Sequence, residues 1–170
     1  MNTIPQFILF ITGPTDAGKS TVAAQLAKQL DNSVNIDVDR IKHFIVSNFL
    51  YDESSKGIKQ WELLGQNISL LANNFQDAGY DVIINGYIGE AAWKLLSENT
   101  QITHKVLLLP HESEVTRRDS SRDASVAMEK KVVNEHYNYF SHSPTYSDFV
   151  KIDSTGLTQE ETVNRIKNLI

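Results

Sequence analysis

The chain has 170 residues, 16 basic and 21 acidic side chains, a formal net charge of −5 and no cysteine. That length suits a single domain over 1–170, able to bury roughly two-thirds of the surface its unfolded chain exposes, and a disulfide framework, a thiolate metal site and a thiol nucleophile are excluded. The acidic balance argues against broad nucleic-acid binding, which needs Lys and Arg to neutralise phosphates, and the first apolar run is far shorter than the about 20 residues of a membrane span, so a soluble, cytoplasmic protein is expected.

Apolar residues predict a first strand over 7–13, which runs into Gly13-Pro14-Thr15-Asp16-Ala17-Gly18-Lys19-Ser20, a complete G-x-x-x-x-G-K-[ST] phosphate-loop pattern. A triphosphate needs many donors at close range, and a turn containing Gly13 and Gly18 lets backbone N–H groups converge on its oxygens. Val22, Ala23, Leu26, Ala27 and Leu30 recur at helical spacing behind the loop, so a helix over 18–30 turns its unpaired N–H groups and positive dipole end toward the phosphates. In that setting Lys19 bridges the β- and γ-phosphates, the Ser20 hydroxyl takes one position around Mg²⁺, and Thr21 supports the α-phosphate. A chance glycine turn is the competing explanation, and the strand and helix in their required places weigh against it.

A second strand over 33–37 delivers Asp37, Asp39 and Arg40 to the carboxyl-end rim where open α/β sheets bind ligands. Two carboxylates and a guanidinium suit a site that deprotonates a hydroxyl and holds a polar or anionic acceptor. A solvated helix start rich in Asp accounts for the same spacing equally well. A helix is predicted over 41–51 with Ile41, Phe44, Ile45 and Phe49 on one face, then a polar loop over 52–56 and a long helix over 57–78 stopped by Gly79. Its stripe of Trp61, Leu64, Ile68, Leu71 and Phe75 makes Trp61 a core residue rather than a platform for a ligand. The third strand, 81–85, ends in Asn85-Gly86-Tyr87 on the same rim. Nucleotide hydrolases carry an acidic residue there; Asn85 can hydrogen-bond a water or the acceptor without supplying charge, or simply make a turn before glycine.

A short helix over 90–97 precedes a buried strand over 104–109 closed by Pro110. His43, His104, His111, His136 and His142 are scattered, and no metal is assigned to histidine. The stretch 114–123 concentrates Arg117, Arg118 and Arg122, of which Arg118 and Arg122 are four apart and share a helical face. Such a pair can close over a nucleotide as a lid of about 114–125 and neutralise charge on the transferred phosphoryl group; a solvated helix laced with Glu114, Asp119 and Asp123 is the alternative. A further helix is predicted over 126–140 with Val126, Val133, Tyr137 and Phe140 inward, a loop over 142–147 and a last strand over 149–153. The capping box Thr158-Gln159-Glu160-Glu161 then opens a helix docked by Val163, Ile166 and Leu169.

The alternation of apolar runs with helical patterns is that of a three-layer α/β sandwich. With the phosphate loop, Asp37-Val38-Asp39-Arg40, the arginine-rich 117–122 and Val150-Lys151-Ile152-Asp153-Ser154-Thr155 together, the sequence resembles small P-loop kinases of the nucleoside-monophosphate-kinase type over nearly its whole length. The D-x-x-R spacing is similar to polynucleotide kinases and zeta-toxin-like kinases, and the arginine segment and terminal I-D-S-T are similar to chloramphenicol phosphotransferase; gluconate and shikimate kinases share the plan.

This resemblance implies a five-stranded parallel sheet in order 2-3-1-4-5, adenine held between the lid and the loop Ser154-Thr155-Gly156, Asp37 as base, Arg40 on the acceptor, and Arg118 and Arg122 as lid cations. Asp39 is the alternative base, because shikimate kinases use a D-x-D pair. Asn85 departs from the family's acidic residue and leaves Mg²⁺ to Ser20 and, through water, Asp37. The expectation is an ATP-dependent phosphotransferase acting on a small-molecule hydroxyl, a sugar, nucleoside or antibiotic-like alcohol, as a monomer or homodimer. An ATP-binding regulatory protein and a nucleic-acid end kinase are the rivals.

Overall fold

The computed structural model describes residues 6–120 and 130–170. Five strands, β1 (Ile8–Thr12), β2 (Ser33–Asp37), β3 (Asp81–Asn85), β4 (His104–Leu108) and β5 (Val150–Ile152), form one sheet in the order β2-β3-β1-β4-β5. Every pairing is parallel, with Ile11 opposite Asn85 and Asp37 opposite the same Asn85 on its other side. All five residues of β1 are buried, which is why its sequence is continuously apolar: a central parallel strand is covered on both faces.

Alternate side chains divide the core. Leu9, Ile11, Ile83, Val106, Leu108 and Ile152 pack under α1 (Lys19–Ala27) and α7 (Gln159–Lys167) through Val22, Leu26, Val163 and Ile166. Ile8, Phe10, Val82, Ile84 and Leu107 face α3 (Ser55–Asp77), α4 (Glu90–Asn99) and α6 (Lys130–His142), which contribute Trp61, Leu64, Ile68, Ala92, Leu96 and Phe140. These are the expected three layers and strand order, and Trp61 is buried in the core as its position on the stripe requires. No helix of the described residues is long and apolar enough to cross a membrane.

The helix expected over 41–51 is a correction. The observed α2 spans Val38–Lys42 and starts earlier, because Asp37 caps it by accepting the Asp39 N–H at 2.9 Å. It tightens and stops after Lys42, with Phe44 N–H bonded to the Ile41 carbonyl and Ile45 N–H to that of Lys42. Asn48 takes a left-handed φ of 95°, and the Gln60 side chain holds the returning strand by accepting from Leu50 N–H and donating to the Asn48 carbonyl. Phe44, placed inward by the pattern, is 74% exposed.

The long helix begins at Ser55 because Ser54 caps it by accepting the Gly57 N–H. The capping box at Thr158 and Glu161 is present as read. Leu169 lies beyond the end of α7 and is 37% exposed, so Thr162, Val163 and Ile166 dock the helix without it. The expected loop after α6 contains one 3-10 turn, Pro144–Tyr146, that buries Tyr146. Val126 and most of the segment ahead of α6 lie outside the described residues.

Candidate active site

The phosphate loop is built by close approach and unusual backbone angles. A Cβ on Gly13 would overlap the Leu108 carbonyl oxygen of the neighbouring strand, and φ there is 149°, so only glycine fits. Gly18 caps α1 with φ 90°, and Asp16 sits at φ 56° between them, the kind of local strain that clusters at ligand clamps. The first turn of α1 has no acidic residue to occupy its N–H groups. Lys19 Nζ donates to the Pro14 carbonyl at 2.7 Å, folding the ammonium back across the loop.

A cleft of about 790 Å³ opens over this turn. Thr15, Asp16, Ala17, Gly18, Lys19, Ser20 and Thr21 line its floor, Asp39 one wall, Glu114 and Arg117 another, and Ser154, Gly156 and Thr158 its far end. Gly13 and Pro14 are buried beneath the loop. Of the two rim carboxylates Asp39 lines the cleft, whereas Asp37 spends Oδ1 on the Asp39 amide. The Arg40 guanidinium is 86% exposed, 4.0 Å from Asp37 Oδ2 and off the cleft lining.

α5 (Glu112–Ser120) brings Arg117 to the cleft, held by two 2.8 Å bonds to the Glu114 carboxylate. Arg122 lies outside the described residues, as does the side chain of Arg118.

Asn85 is fully buried at the end of β3. Its Nδ2 donates to Asn35 Oδ1 at 2.8 Å and to the Ile36 carbonyl, while its Oδ1 has no partner among the described residues. Period-two alternation puts it on the same sheet face as Ile83 and Ile11, the face that carries α1. Asn85 is not among the residues that line the cleft.

Two side chains at the site carry no sequence signal. His136 of α6 accepts the Thr15 N–H on Nδ1 at 3.3 Å, tying α6 to the phosphate loop. Burial, then the charges of Lys19 and Lys42, push its pKa down to about 4, so the ring is neutral and the proton sits on Nε2. Because burial depresses the folded pKa, the stability of the neutral, buried ring is complete above the unfolded value near 6.5 and is lost as pH falls toward 4, by about 3 kcal/mol. Urea melts between pH 7 and 4.5 should therefore fall more steeply for the natural chain than for His136→Gln, and equal slopes would show that His136 is not held neutral.

Lys42, the other, is 2% exposed. Its ammonium donates to Asp39 Oδ1 at 2.9 Å and lies 5.0 Å from the Trp61 ring centroid, 5.3 Å from Tyr87 and 5.6 Å from Tyr51. Burial lowers its pKa and Asp39 opposes that shift. Burial also pushes the Tyr87 phenol up to about 12, keeping it neutral.

No model of a known protein family matches the chain. The shikimate kinase of Francisella tularensis subsp. novicida is 26% identical over 170 residues, 95% of this chain and 93% of that protein. Among solved structures, the tunicamycin resistance protein of Deinococcus radiodurans superposes with a TM-score of 0.72 at 17% identity, covering 96% of this chain and 95% of that one. A sugar kinase from Janibacter sp. HTCC2649 superposes with a TM-score of 0.69 at 16% identity, covering 96% and 94%. Along almost its whole length, with the 2-3-1-4-5 sheet and an intact phosphate loop at its switch point, this chain is similar to small P-loop kinases.

Proposed function

We propose that the protein transfers the γ-phosphoryl group of ATP to a hydroxyl of a small molecule such as a sugar, a nucleoside or an antibiotic-like alcohol. The observation that carries this is the cleft itself, in which the phosphate loop and a carboxylate, Asp39, face one space. Backbone N–H groups of the glycine turn, to which Pro14 contributes none, and of the head of α1 would hold the phosphates, and Lys19 would turn from the Pro14 carbonyl toward them. Ser20 would hold Mg²⁺, which when bound would neutralise charge on the transferred group. Asp39 accepts the hydroxyl proton, Asp37 orders the turn that presents it, and Arg118 and Arg122 serve as lid cations. The similarity to a shikimate kinase supports an alcohol acceptor of low molecular weight.

Calorimetry with Mg·ATP, followed by a screen of phosphoryl transfer from ATP to neutral sugars, sugar acids, nucleosides, amino-alcohol antibiotics and oligonucleotide ends, tests it. Nucleotide uptake and ester formation with one class of small alcohol are expected. A folded chain that takes up no Mg·ATP would sink the proposal, and uptake without transfer to any alcohol would make it a nucleotide-binding regulator.

A further inference from the structure

A lysine is almost never fully buried without a partner, and when its stem is buried the ammonium normally reaches out to water. Lys42 does the reverse: the charged end is enclosed by Trp61 from α3, Tyr87 after β3 and Tyr51 from the chain leading into α3. Three ring faces offer the ammonium electron density but no hydrogen bond, so among the described residues its directional contact is the bond to Asp39 Oδ1. If this site needed only to be filled, an apolar side chain would fill it without desolvating a charge. The charge therefore has work to do outside the box, and the group it touches, Asp39, is 58% exposed and lines the nucleotide cleft.

Asp39 is gripped twice. Its backbone N–H is held by Asp37 Oδ1 and its carboxylate by Lys42 Nζ, three residues further along the same short helix. A five-residue helix is too short to hold a side chain by its own stability, so rigidity at this wall has to come from such contacts.

We propose that Lys42 is the positioning residue for phosphoryl transfer: its boxed ammonium pins one oxygen of Asp39 and leaves the other to meet the acceptor hydroxyl across the cleft from Lys19 and Ser20. This rests on the phosphotransfer reading. In the step it serves, the acceptor oxygen bonds to the γ-phosphorus as the bond to the β–γ bridging oxygen breaks; ADP leaves with that electron pair, and the hydroxyl proton passes to Asp39 and then to water. A one-ångström loss of register at such a base is enough to cost about 10²-fold in rate. Because the box is made of residues from α3, the chain leading into it and the end of β3, an acceptor that shifts those elements also shifts the base.

Two measurements on the full chain test the proposal. ADP release from Mg·ATP, with water as acceptor and with any alcohol the screen returns, is compared for the natural chain, Lys42→Met, Asp39→Asn and the double variant. Lys42→Met should lower kcat by at least about tenfold and leave the KM for ATP within about twofold. The double variant should be no slower than Asp39→Asn alone, because Lys42 acts only through that carboxylate. Wild-type kcat in Lys42→Met, or a double variant slower by the full Lys42→Met factor, would overturn it.

The second measurement needs no turnover: the Nζ resonance of Lys42 in ¹⁵N-labelled protein, identified by its loss in Lys42→Met. It should move or vanish in Asp39→Asn, and an unmoved signal would show that no lock exists. A chain that binds no Mg·ATP yet loses this signal in Asp39→Asn refutes the phosphotransfer reading and keeps the lock.

Discussion

Lys19→Ala is expected to remove phosphoryl transfer, lowering kcat by about 10²–10³-fold or more, the cost of deleting one preorganised charge that acts where negative charge develops. In the structure the ammonium rests on the Pro14 carbonyl inside the loop, so it is stored within a short swing of the phosphates instead of being recruited from solvent. Deleting it removes the charge-assisted bond to Pro14 and little buried apolar area, so the melting temperature should move by only a few degrees. His136 provides an internal check, because the charge on Lys19 is one of the causes that hold its pKa down. In the variant the imidazole should titrate at higher pH by proton NMR, toward the ordinary histidine range. Near-wild-type ADP release from Lys19→Ala would mean that the glycine turn does not work as a phosphate site.

The architecture was legible because it rests on local signals. Apolar runs at 8–11 and 106–109 say buried parallel strand, and a stripe at three- and four-residue steps across Ser55–Asp77 says amphipathic helix. The phosphate loop is read directly because eight consecutive residues make it. Pattern misled at 41–51, where Ile41, Phe44, Ile45 and Phe49 have helical spacing but the distant Gln60 side chain claims the backbone at Asn48 and Leu50.

Lys42 was illegible for the same reason: Trp61 and Tyr87 are 19 and 45 residues on, and nothing near Lys42 in the chain distinguishes it from a surface lysine. His136 meets Thr15 across a separation of 121 residues. Helical spacing favours the pair Arg118 and Arg122, yet Arg117 is the arginine that lines the cleft among the described residues. The one available hint was Glu114 three residues before it, the spacing that makes their paired bonds.

The two rim aspartates should separate sharply under the same substitution. Asp39→Asn removes the oxygen that takes a proton while keeping size and shape, and should lower kcat by about 10²–10⁴-fold with ATP affinity nearly intact. Asp37→Asn should cost less than about tenfold, because asparagine is as good an N-cap as aspartate and its side-chain oxygen can still accept the Asp39 N–H. Stability should follow a different order. Asp39→Asn leaves the buried Lys42 ammonium without its carboxylate and lowers the urea midpoint, whereas Asp37→Ala, which deletes the cap, costs about 1 kcal/mol. Rates are therefore compared well below the melting temperature of the weakest variant. If Asp37→Asn proves to be the dead enzyme and Asp39→Asn the active one, the D-x-x-R arrangement carries the base. Asp39 would then be a structural counter-ion for Lys42, and the cleft wall would owe its charge to a residue that never meets the substrate.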